Sequence, residues 1–199
     1  MGEIFDKLFV LDMANNHQGS LSHGCNIIDE MAAVARRNGV KAAIKFQFRQ
    51  LETFIHPAHQ VGSSNKHITR FRSTELSTQD YEILVNKAKQ HGLLTMCTPF
   101  DEESVSLVES MGFDIIKIAS CSADDWPLLE RVSSTNLPVV ISTGGLSLAG
   151  IDSVVSFFEH KAVEFALMHC VSIYPTPNNE LNLAQIECFR NRYRGRAVG

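Results

Sequence analysis

A chain of 199 residues, 44% hydrophobic and 20% charged, has the make-up of an ordinary globular protein of one or two domains and excludes disorder. Its formal net charge of -4 gives no electrostatic reason to bind a nucleic-acid backbone or an anionic membrane, so neither partner is expected and any basic site must be local. Five cysteines, odd in number and without paired spacing, fit a reducing compartment; with no apolar run near the roughly 20 residues of a membrane span, the cytoplasm is the expected location.

In chain order, apolar runs predict strands over residues 8–12, 41–47, 93–98, 114–119, 138–142 and 164–169, with helices between them. One phrase recurs: an amphipathic stretch, a glycine suited to a helix C-cap, then a short apolar run ending in polar residues. Gly39, Gly92 and Gly112 supply the clearest stops. Cys25 through Asn38 carries Ile27, Ile28, Met31, Val34 and Ala35 at helical spacing. The segment from Arg49 to Leu76, with His56, His59 and His67, is expected to be a rim or partner-contact loop with solvated histidines. Ser77-Thr-Gln-Asp80 reads as a capping box with Asp at its last position, and Asp101, Asp125 and Ser147 sit where N-caps belong. Asp101-Glu-Glu103 is most simply the acidic first turn of a helix. A seventh phrase opens at Gly195 and reaches Gly199.

Short apolar strands alternating with helices imply a parallel sheet with right-handed crossovers. The first strand is followed by Ala14-Asn-Asn-His-Gln-Gly19, which is not a glycine-rich phosphate loop, so a barrel is favoured over an open doubly wound sheet. The expected fold is α/β, a (β/α)8 TIM-barrel type with about six units and strand seven only begun. It is expected to form a single, C-terminally incomplete barrel domain over residues 1–199. Strands one and seven would then carry unpaired edges.

In such a barrel the chemistry sits where strands end. Those ends are Asp12 to His17, Lys45 to Gln47, Thr98 to Phe100, Lys117 to Ser122, Ser142 to Gly144 and His169 to Pro177. Two lysines, several hydroxyls and few carboxylates point to an anionic ligand, whose oxygens need charge-assisted donors. A lone strand-end lysine is usually solvated, but two at the same end of different units favour function. Lys117 also permits Schiff-base chemistry, although its hydroxyl neighbours suit an anion clamp better than a desolvated amine. His17 and His169 with Cys97, Cys121 and Cys170 form a weak metal reading, because small cysteines commonly fill barrel interiors.

These ends resemble the N-acetylneuraminate (sialic acid) synthase family along essentially the whole chain. Asn16-His-Gln-Gly19 looks like the family's Asn-His-x-Gly, Ile44-Lys-Phe-Gln47 like Val-Lys-x-Gln, and Cys97-Thr-Pro-Phe100 like Ser-Thr-Pro-Phe. Lys117-Ile-Ala-Ser120, Ile141-Ser-Thr-Gly144 and His169-Cys-Val-Ser-Ile-Tyr-Pro-Thr-Pro177 look like Lys-Ile-x-Ser, Leu-Ser-Thr-Gly and His-Cys-Thr-x-x-Tyr-Pro-Thr-Pro. Each tetrapeptide is weak, whereas six in order are strong. The resemblance implies condensation of phosphoenolpyruvate with an N-acylated amino sugar, such as N-acetylmannosamine, to give a nonulosonate and phosphate. Lys45, Thr98, Lys117, Ser120, Ser142 and Ser172 would hold phosphoenolpyruvate; Asp12, Gln47, Phe100 and Tyr174 would face the sugar; Lys117 and Asp12 would be catalytic. It further implies a divalent metal, Mn or Mg, with its histidines beyond Gly199 and none within this chain, and a homo-oligomer such as a dimer.

There are departures. Ser122 stands where the family usually keeps a carboxylate suited to proton transfer, and a serine is not a base without an activating group. Asp125 before Trp126-Pro127 reads as a helix cap rather than a replacement. Ser172 stands in place of the family's asparagine. The 199 residues alone are therefore expected to be inactive. A non-catalytic anion- or sugar-binding relative, and a barrel synthase or aldolase acting on another sugar, are the alternatives.

Overall fold

The computed structural model describes residues 3–62 and 64–199. The chain divides into two compact units, one of residues 7–114 and one of residues 115–199 with the N-terminal turn Glu3–Phe5.

The first unit runs β1 (Phe9–Asp12), α1 (Leu21–Asn38), β2 (Ala42–Phe48), α2 (Leu51–Phe54), α3 (Lys66–Ser73), α4 (Thr78–Gln90), β3 (Leu94–Pro99) and α5 (Glu102–Ser110). Its strands pair in chain order and in parallel, with Asp12 beside Lys45 and Gln47 beside Thr98. Parallel neighbours need a crossover, and α1 and α4 supply it. Helix α1 begins a turn earlier than its apolar repeat, because the Ser20 hydroxyl accepts from the His23 N–H. It stops at Gly39, whose φ of 60° is left-handed and whose N–H returns to the Ala35 and Arg36 carbonyls. The capping box at the head of α4 is present in both directions between Ser77 and Asp80.

Alternation along β2 separates two jobs. Ile44, Phe46 and Phe48 are buried, while Lys45 and Gln47 remain half-buried on the other face. Phe46 and Phe48 meet Tyr81 of α4 and Phe113 edge to face, at centroid separations of 4.6 to 6.4 Å. Strand β3 is locked at its start by Asp114, whose Oδ2 accepts from the Thr95 N–H at 2.7 Å and from its hydroxyl at 2.8 Å.

The second unit runs β4 (Ile115–Ile118), α6 (Trp126–Ser133), β5 (Val139–Ser142), α7 (Leu148–His160), β6 (Phe165–Met168), α8 (Ala184–Arg192) and β7 (Ala197–Val198). These strands also pair in chain order and in parallel. Ile116, Ile118, Leu128, Ile141, Phe158 and Phe165 are buried at its centre. Helix α8 is tied to α7 by Asp152, which accepts from Arg192 Nε and the Tyr193 hydroxyl, each at 2.8 Å.

The six expected strands lie within a residue or two of their predicted ends, and the seventh phrase forms the short strand β7. The segment from Arg49 to Leu76 differs from a plain loop: it contains α2, a turn of 3-10 helix at Pro57–His59, and α3. Its three histidines have local roles or local neighbours. His56 Nδ1 accepts from the Ala58 N–H at 3.2 Å, and His67 Nδ1 lies 3.3 Å from Arg70 Nη1's twin, Nη2. Among the described residues no helix is long and apolar enough to cross a membrane.

Candidate functional site

In the first unit, the ends of β1, β2 and β3 bring together Asp12, Lys45, Gln47, Thr98 and Phe100. The β1–β2 register places Asp12 opposite Lys45, and their side chains form an ion pair of 2.9 Å. Lys45 is the more enclosed partner, its side chain 12% exposed against 55% for Asp12. Thr98 is buried, and Phe100 is half-buried with its N–H on the Phe48 carbonyl. Beyond Gln47, Arg49 Nη2 donates to Gln47 Oε1 at 2.7 Å. The Arg49 guanidinium lies over Phe71, Phe100 and Phe54, at 4.2, 4.7 and 5.7 Å from the ring centroids. A cleft beside these groups is lined by Asn15, Gln47, Arg49, Thr74, Tyr81 and Ser104, among others.

His17, which follows β1, is fully buried. Its Nδ1 accepts from the Gly19 N–H at 3.2 Å, and burial, then the charge of His23, holds its pKa below the ordinary imidazole value. A neutral ring whose Nδ1 accepts carries its proton on Nε2, which lies 3.5 Å from the Tyr81 hydroxyl. Burial pushes that phenol up to about 12, so it stays protonated. His17 therefore holds its loop.

In the second unit, the ends of β4, β5 and β6 bring together Lys117, Ser120, Ser142, Gly144, Cys170 and Ser172. Lys117 Nζ donates to the Ile118 carbonyl at 2.8 Å and to the Ser142 hydroxyl. The Cys170 thiol donates to the same hydroxyl at 3.2 Å. A serine oxygen offers two acceptor sites and one O–H. Lys117, which can only donate, takes one of the acceptor sites and turns the Ser142 O–H away from the ammonium; the single Cys170 S–H is shared between Ser142 and the Met168 carbonyl, 3.6 Å away. The Ser120 hydroxyl accepts from the Gly144 N–H at 3.2 Å and likewise retains its O–H. A Cβ built on Gly144 would stand 2.7 Å from Ser172 Oγ and 2.9 Å from Ser120 Oγ, so both hydroxyls crowd one backbone position. The set is polarised toward donation, which suits an anion.

Tyr174 is 95% exposed. Ser122 is buried in the 3-10 turn Ser120–Ser122 and has no carboxylate chemistry of its own. Asp125 caps α6, its Oδ1 accepting from the Leu128 N–H at 3.3 Å. His169 Nε2 lies 2.9 Å from the Leu181 carbonyl. Among the described residues no group of three or more His, Cys, Asp and Glu side chains is placed to hold a metal ion.

Arg49, Cys170 and the crowding at Gly144 were absent from the expected site. Phe54, Phe71 and Phe100 share no sequence spacing that would announce a ring set around Arg49. Cys170 fits a core-filling role by sequence, and the motif that contains Gly144 says nothing of what crowds it.

The NeuB family model matches residues 31–199. The chain belongs to the NeuB family. A solved Chromobacterium violaceum protein, named for spore coat polysaccharide biosynthesis, superposes with a TM-score of 0.94 at 44% identity, covering 97% of this chain and 57% of that one. The N-acetylneuraminate-9-phosphate synthase of Drosophila melanogaster is 29% identical over 100% of this chain and 54% of its own length. The N,N'-diacetyllegionaminic acid synthase of Legionella pneumophila is 28% identical over 97% of this chain and 56% of its own. The chain spans about half the length of the curated relatives it matches. A truncated 3-deoxy-D-arabino-heptulosonate 7-phosphate synthase of Thermotoga maritima, at 17% identity and a TM-score of 0.63, shares the fold alone. The repeated parallel βα units are those of a TIM-barrel-type α/β protein.

Proposed function

We propose that the protein containing this chain condenses phosphoenolpyruvate with an N-acylated amino sugar to form a nonulosonate, releasing phosphate. The observation that carries the reading is the donor polarity of the Lys117–Ser142–Cys170 contact at the ends of β4, β5 and β6. Family membership and the names of the relatives support it. In this reading Lys117, Ser120, Ser142 and Ser172, with Lys45 and Thr98, bind the carboxylate and phosphate; Asp12, Gln47, Phe100 and Tyr174 bind the sugar. C3 of phosphoenolpyruvate attacks the open-chain aldehyde, water adds at C2, and phosphate departs by C–O cleavage. Attack by C3 leaves C2 electron-poor and open to water; Lys117 balances the negative charge of the carboxylate and of the departing phosphate, and binding both reactants before reaction supplies proximity. Lys45 begins neutralised by Asp12, so anion binding draws it from, or shares it with, that carboxylate. The same reading includes a divalent metal, Mn or Mg, held by the histidines that the family resemblance expects beyond Gly199. A homo-oligomer, such as a dimer, also belongs to it.

Ser122 favours one second reading, a relative that binds these ligands without turning them over. One experiment separates the two. The full-length protein is given phosphoenolpyruvate, manganese, and a panel of N-acetylmannosamine and related sugars, and phosphate release and phosphoenolpyruvate binding are both measured. Release is expected, and Lys117→Ala is expected to weaken binding at least roughly tenfold, as loss of a charge-assisted contact does. Binding without release from any sugar selects the second reading; neither binding nor release overturns both.

A further inference from the structure

We infer that Arg49 is a positioning residue that fixes the polarity of the Gln47 amide, so that Gln47 recognises a hydrogen-bond acceptor on the sugar: an acyl carbonyl or hydroxyl oxygen. The inference rests on the reading above that Gln47 faces the sugar. A primary amide has two ends of opposite hydrogen-bonding sign and similar shape, and nothing in its own covalent structure selects which end meets a ligand. A neighbouring guanidinium does select. It donates only, so the amide atom 2.7 Å from Arg49 Nη2 is Oε1, and the NH2 end is the one turned away from Arg49.

The selector is itself held. Arg49 lies two residues beyond Gln47, just past β2, and its guanidinium carbon is 4.2 Å from the Phe71 centroid and 4.7 Å from that of Phe100. Phe54 lies at 5.7 Å and packs edge to face on Phe71 and Phe100, at 5.9 and 5.8 Å. A planar cation among ring faces keeps its fork in one orientation; a lysine ammonium, compact and more strongly hydrated, does not gain the same stacking. Phe100 is itself assigned to the sugar, so one cation orders both a polar and an apolar contact. The consequence is selective. An N-acyl group offers its carbonyl to the presented N–H groups, whereas a free amino sugar, protonated at neutral pH, offers only donors at that carbon.

The test uses the full-length protein as wild type, Gln47→Glu, Arg49→Met and Arg49→Lys. Phosphoenolpyruvate affinity is read by calorimetry, and KM and kcat for N-acetylmannosamine by phosphate release. Gln47→Glu keeps an oxygen toward Arg49 but turns the presented donor into an acceptor. It is expected to raise the sugar KM roughly tenfold or more, the scale of one mismatched polar contact, with phosphoenolpyruvate affinity unchanged. Arg49→Met keeps bulk among the rings while releasing the amide, and is expected to raise the same KM, with Arg49→Lys between Met and wild type. A Gln47→Glu KM within about twofold of wild type overturns the inference, as does a parallel fall in phosphoenolpyruvate affinity. Wild-type protein that turns over no N-acylated amino sugar overturns the proposed function and this inference with it; wild-type turnover with unmoved variants overturns the inference alone.

Discussion

Gly144 shows how much of the site is a matter of single atoms. The constraint there is steric: a Cβ would come within 3 Å of two hydroxyl oxygens and 3.2 Å from Cys170 Cβ. The substitution Gly144→Ala is therefore expected to push Ser120 and Ser172 apart and weaken phosphoenolpyruvate binding by the full-length protein roughly tenfold, at a stability cost of about 1–3 kcal/mol. Calorimetry and a denaturant melt read the two effects; unchanged affinity would remove Gly144 from the site. Strand-end polarity pointed to the stretches Lys117 to Ser122, Ser142 to Gly144 and His169 to Pro177, and the family resemblance named Lys117, Ser120, Ser142 and Ser172 within them. Sequence reasoning missed the crowding at Gly144 because that depends on three strand ends meeting, which no local pattern encodes. Arg49 escaped for the same reason, its three rings lying 5, 22 and 51 positions further along the chain.

At the scale of elements, strands and helix stops were legible because each follows from local chemistry. Apolar runs gave the strands, and Gly39 took the left-handed conformation a C-cap needs. The short helices α2 and α3 were not legible, since four and eight residues carry too little periodicity to be read. The loop after β1 owes its shape to a buried neutral His17 rather than to glycine or proline alone. Its lowered pKa has a definite consequence. Below pH about 6.5 the unfolded chain protonates this imidazole while the folded chain resists, so stability falls as pH drops from there toward the depressed folded value. Denaturant melts at pH 7.5 and pH 5.5 are expected to show a smaller loss for His17→Asn than for the native sequence, whatever the variant's absolute stability. Equal losses would show that His17 does not contribute to the slope.

For the whole molecule, the order of strand-end motifs indicated the family. Which sugar the proposed reaction would take was not legible, because the residues assigned to it in that proposal combine a strand end, a ring set and an exposed loop at Tyr174. Strand β1 has a different significance at this scale: Phe9 is 55% exposed and Val10 40%. Apolar side chains exposed on a strand invite association, and a lysine blunts it. Phe9→Lys is expected to lower self-association of the 199-residue chain in light scattering without lowering its melting temperature; unchanged scattering would place the contact elsewhere. The setting of Arg49 carries a further consequence. Two of its three rings, Phe54 and Phe71, come from the segment between β2 and α4, outside every strand. Changes in that segment would alter the rings that hold Arg49, and through it the Gln47 amide, without touching a strand. If Gln47 faces the sugar as proposed, ligand preference would then shift through a stretch of chain on which the sheet does not depend.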